Sequence, residues 1–215
     1  ATAVLAATGA AGNSGSIDIE AGALLTVGDA FSETGGTLTL LGTLSAGSAD
    51  FSGGRLALGG KLAAGQVTLE AAAAVQGFGT IDGALANAGT LLASGGTLEI
   101  TGAVSGGGEI DIAAGAGLLL DGADSQTLRF AGAGGTLVLA APAQVTGAIA
   151  GLALGDTLTL DGTSATAASA GFDSGSGLST LAVTLAGGGT LDLALAGDYS
   201  GAIFTVTQAG ADSVI

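Results

Sequence analysis

Apolar and polar positions alternate along this chain in short runs, and the clearest of them follow a pair of glycines. The phrase occurs as Gly35-Gly36-Thr37-Leu38-Thr39-Leu40, Gly53-Gly54-Arg55-Leu56-Ala57-Leu58 and Gly95-Gly96-Thr97-Leu98-Glu99-Ile100. It returns as Gly134-Gly135-Thr136-Leu137-Val138-Leu139 and Gly188-Gly189-Thr190-Leu191-Asp192-Leu193. Period-two alternation in runs of four to six residues reads as half-buried strand rather than helix. Further runs of the same kind include Ser16–Glu20, Gln66–Leu69, Glu109–Ile112, Thr127–Phe130, Thr157–Leu160, Leu181–Leu185 and Ile203–Thr207.

A turn-plus-strand unit of this size cannot bury its own apolar face, and stacking copies of it does. Leu38 and Leu56 are 18 residues apart, Leu137 and Leu158 are 21 apart, and Leu98 and Leu137 are 39 apart, close to two such steps. A rung of roughly 18–22 residues, with glycines at its corners, accommodates these spacings. The expected fold is all-β: a right-handed parallel β-helix (β-solenoid) of about nine to eleven rungs, some 45 Å long at the usual strand spacing. Its inner stack should bury Leu38, Leu40, Leu56, Leu58, Leu98, Ile100, Ile110, Ile112, Leu137, Leu139, Leu158 and Leu160. A two-sheet sandwich is the alternative.

The texture changes near residue 161. Asp161–Gly177 is polar and small-residue-rich, and the runs after it read as an antiparallel meander or as terminal rungs. The expected organisation is a solenoid over 1–160 and a C-terminal cap or junction over 161–215. Solenoid ends need such caps because a free strand edge is adhesive.

Composition refines this picture. Glycine accounts for 43 of 215 residues and aromatics for only 3%, so the core must be thin and tiled by Leu, Ile, Val and Ala. A mean hydropathy of +0.70 and the regular alternation argue against disorder. Phe31, Phe51, Phe78, Phe130, Phe172 and Phe204 fall at irregular intervals and read as core or corner plugs rather than a carbohydrate-stacking strip. Tyr199 reads as a strand-edge or capping residue.

The formal net charge is −15, and Arg55, Lys61 and Arg129 are the only basic residues. Phosphate-backbone binding needs clustered Lys or Arg, so no nucleic-acid partner is expected. A polybasic lipid anchor is equally unsupported. No apolar run approaches the roughly 18 residues of a membrane helix, so no membrane insertion of this segment is expected. No leader with a basic start is visible, and the chain reads as a mature product or a piece of a longer one.

The chain has no cysteine and no histidine. That removes thiol chemistry, the usual neutral-pH proton shuttle and any Ser-His-Asp triad. Carboxylates are the remaining catalytic supply. Asp18 with Glu20, and Glu109 with Asp111, are i,i+2 pairs on one strand face. Glycoside hydrolysis needs two carboxyls roughly 5–9.5 Å apart across a groove. These pairs look instead like ordinary strands with Ile inward and acid in solvent. Threonine pairs such as Thr37/Thr39 and Thr157/Thr159 would suit an ice-binding ladder, but Arg55/Ala57 and Thr136/Val138 interrupt it. Calcium is the one metal worth testing, at Asp121, Asp124, Asp156 and Asp161 beside glycine turns. The nine-residue calcium repeat and the EF-hand loop are absent, so no obligatory cofactor is expected.

The run Leu128-Arg129-Phe130-Ala131-Gly132-Ala133-Gly134-Gly135-Thr136-Leu137-Val138-Leu139, continuing through Thr146-Gly147-Ala148-Ile149 to Gly155-Asp156-Thr157-Leu158-Thr159-Leu160, carries a resemblance. It resembles the glycine-rich repeats of large secreted or surface proteins of Gram-negative bacteria, including autotransporter passengers and adhesin-like exoproteins. The ending Leu193-Ala194-Leu195-Ala196-Gly197-Asp198-Tyr199, running on to Val206, resembles the strand pair that closes such repeat blocks. The resemblance implies a parallel β-helical stalk outside the cell or on its outer surface, and a role in adhesion, aggregation or biofilm. Partners would be a host or bacterial surface, a matrix polysaccharide, or further copies of the chain. A self-assembling surface scaffold and a polysaccharide-active β-helix enzyme are the alternatives.

Overall fold

The computed structural model describes residues 4–215. It is a right-handed β-solenoid in which 22 strands form one continuous hydrogen-bonded system. Each turn of the coil contributes a strand segment to each of three faces. Face 1 stacks 4–7, 24–27, 43–46, 61–64, 80–82, 98–100, 117–120, 136–139 and 157–160, all parallel and in register. Face 2 stacks 11–13, 31–33, 48–51, 66–69, 84–87 and 104–105, and then thins to single bridges at Asp124 and Val145. Face 3 stacks 16–19, 37–40, 55–58, 74–77, 90–93, 109–112, 128–130 and 149–150.

The register turns the sequence pattern into a core. On face 1 the inner ladder runs Leu5, Leu25, Leu44, Leu62, Ile81, Ile100, Leu120, Leu139, Leu160. These nine positions define eight turns, with steps from 18 residues (Leu44 to Leu62) to 21 (Leu139 to Leu160). At about 4.8 Å per level the stack is roughly 38 Å long, shorter than the length expected from the sequence. All twelve core residues named from the sequence are at most 3% exposed. In a parallel stack, like side chains meet like side chains on the neighbouring level, so a Leu/Ile ladder packs without a search for complementary shapes.

Glycine makes the corners possible at specific places. Gly77 lies at φ +138°, and a Cβ there would collide with the carbonyl oxygen of Leu58 one level below. Gly36, at φ +85°, would strike the backbone of Gly15 in the same way. The levels approach too closely for any side chain at these corners.

The aromatic plugs divide. Phe31, Phe51 and Phe130 are buried, and the first two rings lie 6.2 Å apart. Phe78 and Phe172 are instead 42% and 39% exposed, so neither is a core plug, and Phe78 fits the corner reading. Phe78 lies against Gly59, Gly95 and Gly96 on the outside of a corner.

Above the last parallel level the topology changes. Strand Thr190–Ala196 joins face 3 through 195–196, parallel to 149–150. Leu178–Leu185 then pairs antiparallel with it, and Ala165–Asp173 pairs antiparallel with Leu178–Leu185. The polar stretch after residue 161 is therefore largely strand, its alternation hidden by Ala and Ser. On face 1 a small hairpin, Thr207–Ala209 with Asp212–Val214, lies antiparallel across 159–160. The sequence-based strand at Ile203–Thr207 is not formed: the chain is irregular there, Ile203 is 94% exposed, and the strand begins at Thr207.

Candidate functional site

The buried polar side chains of the parallel stack all lie on face 2. Glu33 accepts from Asn13 Nδ2 at 2.7 Å through Oε2, and from the Gly35 amide at 3.3 Å through Oε1. Asn87 and Gln126 occupy the same column two levels apart. Asn87 Nδ2 donates to Gln126 Oε1 at 3.1 Å, and Gln126 Nε2 donates to the Asn87 carbonyl at 2.7 Å. Asn87 Oδ1 also accepts from the Gly89 amide at 3.1 Å. These amides replace ladder hydrogen bonds where glycine and turn residues interrupt the strands, a structural use that leaves no reactive group pointing outward.

Asp124 differs from them. It is 1% exposed, sits between Val104 and Val145 in the inner column, and neither carboxyl oxygen has a hydrogen-bond partner. Burial pushes its carboxyl up to about 6, against the opposing pull of the Gln126 and Ser125 amides.

The calcium candidates do not form one cluster. Asp124 faces the core. Asp121 lies outside, three residues earlier, where burial together with the charges of Glu99 and Asp161 raises its carboxyl. Asp156 is engaged in backbone capping: Oδ1 accepts from the Gly135 amide and Oδ2 from the Ala153 amide, both at 2.9 Å. It thereby ties its own turn to the level below. Among the described residues no three acidic side chains form a group able to hold a metal ion.

The acidic pairs named from the sequence lie on face 3. Asp111 is clamped by Arg129, whose Nε and Nη2 each donate at 2.8 Å to a separate carboxyl oxygen. Glu109 lies 3.9 Å from the same guanidinium. Lys61 bridges to Asp82 at 2.6 Å, and Arg55 donates to Gln76. Each of the three basic residues thus contacts a neighbouring level of the stack. At Asp18 the neighbour in register on the next level is Thr39.

A cleft of about 380 Å³ that the sequence did not predict opens beside the C-terminal antiparallel strands, the crown of the solenoid, between the 152–156 turn and the irregular 199–205 segment. Leu152, Tyr199, Phe204 and Ile215 contribute to its walls, and the fully exposed Leu154 and 94% exposed Ile203 stand at it. The Tyr199 hydroxyl donates to the Leu152 carbonyl at 3.0 Å, which fixes the crown on the last parallel level. Isolated Leu and Ile in glycine-rich turns were the only sequence signal for this place, and they look like any other strand residue.

No protein-family model, curated protein or solved structure matches the chain. Among the described residues no helix is long and apolar enough to cross a membrane.

Proposed function

We propose that this chain is a non-enzymatic stalk of a secreted or outer-surface bacterial protein, contributing to adhesion, aggregation or biofilm. The observation that carries the reading is the use made of its chemistry-bearing side chains. The basic residues cross-link levels, Asp156 caps backbone, and the Asn87–Gln126 pair fills the interior. They hold a rod together. The β-solenoid is consistent with, though not specific to, the passenger stalks that the glycine-rich repeats resemble, and fold alone does not fix function.

The contact surface in this reading is the crown cleft with Leu154 and Ile203. The test displays the domain on beads and measures bead aggregation and retention on bacterial cells and on matrix polysaccharide. The expected result is retention on one of these surfaces, reduced several-fold by Leu154→Ser/Ile203→Ser with the melting temperature unchanged. Shortening of a polysaccharide on incubation would contradict the reading and favour the enzyme alternative.

A self-assembling scaffold is the second reading. Leu154 and Ile203, exposed together at the crown cleft, give an apolar patch that a second copy could cover. Concentration-dependent filaments by electron microscopy would favour it, and a monomer at all concentrations would remove it.

A further inference from the structure

The Asp124 carboxyl sits where the solenoid is most thinly held together. Face 2 carries strands of three or four residues through 84–87, a two-residue strand at 104–105, and then only single bridges at Asp124 and Val145. The backbone at Asp124 is paired: its amide donates to the Gln144 carbonyl at 3.2 Å, and its carbonyl accepts from the Thr146 amide at 2.7 Å. The side chain alone is orphaned, in a column whose neighbouring levels supply Val104 and Val145.

We infer that Asp124 is a pH-operated clasp, fastening the crown-side levels of the solenoid in acid and loosening them as the solution approaches neutrality. A carboxylate in an aliphatic column, with no cation beside it and only the adjacent Ser125 and Gln126 amides, outside good hydrogen-bond geometry, to offset its charge, is strongly disfavoured, whereas the neutral acid is tolerated. Nothing that faces Asp124 competes for the role. The adjoining levels of face 2 offer Val104 and Val145, and its own segment offers Ser125 and Gln126. The inner positions of faces 1 and 3 at these levels are Leu120, Leu139 and Leu128. None of these titrates. The nearest acid along the chain, Asp121, lies outside in the field of Glu99 and Asp161, and no charged side chain shifts Asp124 itself.

The sign follows from the raised value of about 6, against 3.8 for the ordinary group. Below about pH 4 both folded and unfolded chains hold the proton, and the group adds no pH dependence. Between about 4 and 6 the unfolded chain releases its proton while the folded chain keeps it, so stability falls as pH rises. Above about 6 the loss is complete, near a hundredfold in the opening equilibrium. This inference does not depend on the stalk reading.

Hydrogen exchange, expressed as protection factors at pH 4.5 and 7.0, tests it on the wild type, Asp124→Asn and Asp124→Val. In the wild type, segments 100–106, 120–130 and 144–150 should gain tens-fold protection at pH 4.5, while 37–69 changes little. Asp124→Asn should remove that gain. Asp124→Val, which continues the valine column, should give high protection at both pH values. Equal pH dependence in all three proteins overturns the inference. If Asp124→Asn fails to fold, the carboxyl carbon shift of Asp124 in the wild type decides: a midpoint near 6 supports the clasp, and one below 4.5 overturns it.

Discussion

Leu98 and Arg129 mark the two extremes of what one side chain contributes here. Leu98 is fully buried, with Leu118 in register on the next level. Cutting it to alanine leaves a cavity that a stacked ladder cannot collapse without shifting a whole level. Leu98→Ala should therefore cost about 2–5 kcal/mol, read as a lower denaturant midpoint. Arg129 makes the best-formed ion pair of the molecule, bidentate on Asp111, yet its side chain is 50% exposed. Exposed pairs are screened and entropically expensive, so Arg129→Ala should change stability by less than about 1 kcal/mol, and less still in high salt. The reverse ranking would mean that electrostatic cross-links rather than the aliphatic stack hold the rod.

Among the elements, the crown depends on a few polar nodes. Ser213 is fully buried; its hydroxyl donates to the Thr163 carbonyl at 2.8 Å and accepts from the Ala165 amide at 2.8 Å and from Gln208 Nε2 at 2.9 Å. It joins the terminal hairpin to the first antiparallel strand. Ser213→Ala strands an amide and a carbonyl, and should cost about 1–3 kcal/mol. It should raise hydrogen exchange in 163–173 and 207–215 before it affects 37–69. Uniform exchange throughout would show that the crown is not a separate cooperative unit.

The elements also show which parts of the fold the sequence made legible. Strands such as 37–40, 55–58 and 97–100 could be read because each follows a glycine pair and points Leu or Ile to one face. The antiparallel strand Ala165–Asp173 could not, because Ala, Ser and Gly on both faces erase the alternation. Ile203–Thr207 misled for the opposite reason: its Ile-Phe-Thr-Val run has strand composition, but the segment lines the cleft without pairing in a ladder up to Thr207. For the phenylalanines the sequence could not separate core from corner: Phe78 lies outside against corner glycines, and Phe172 lies on the exposed antiparallel strand Ala165–Asp173. For the site, the sequence identified the acids but not their fates. Asp124, an inward position in an interrupted column, looks identical to outward Asp121 until the register is known.

At the scale of the molecule, the rod carries a net charge of −15, with its three cations engaged across levels. The aliphatic stack is continuous and the acids are dispersed, so folding should not require a metal. Melting with excess chelator should match melting without it. Calcium should raise the melting temperature no more than sodium at equal ionic strength, as screening predicts. A transition abolished by chelator, or a calcium-specific shift of several degrees, would reveal a real site.

The central claim is that the chain forms one in-register stack rising by a single strand spacing per turn. It is tested most directly by distances between outward positions of face 3, where Asp18, Thr39, Ala57, Gln76, Leu92, Asp111, Arg129 and Ala150 follow one another level by level. The chain has no native cysteine, so Asp18→Cys can be spin-labelled in pairs with Leu92→Cys or Ala150→Cys. Four levels and seven levels correspond to backbone separations of about 19 Å and 34 Å. Double electron–electron resonance should give two narrow distributions differing by about 15 Å. Equal distances for the two pairs, or one broad distribution for both, would contradict the stack.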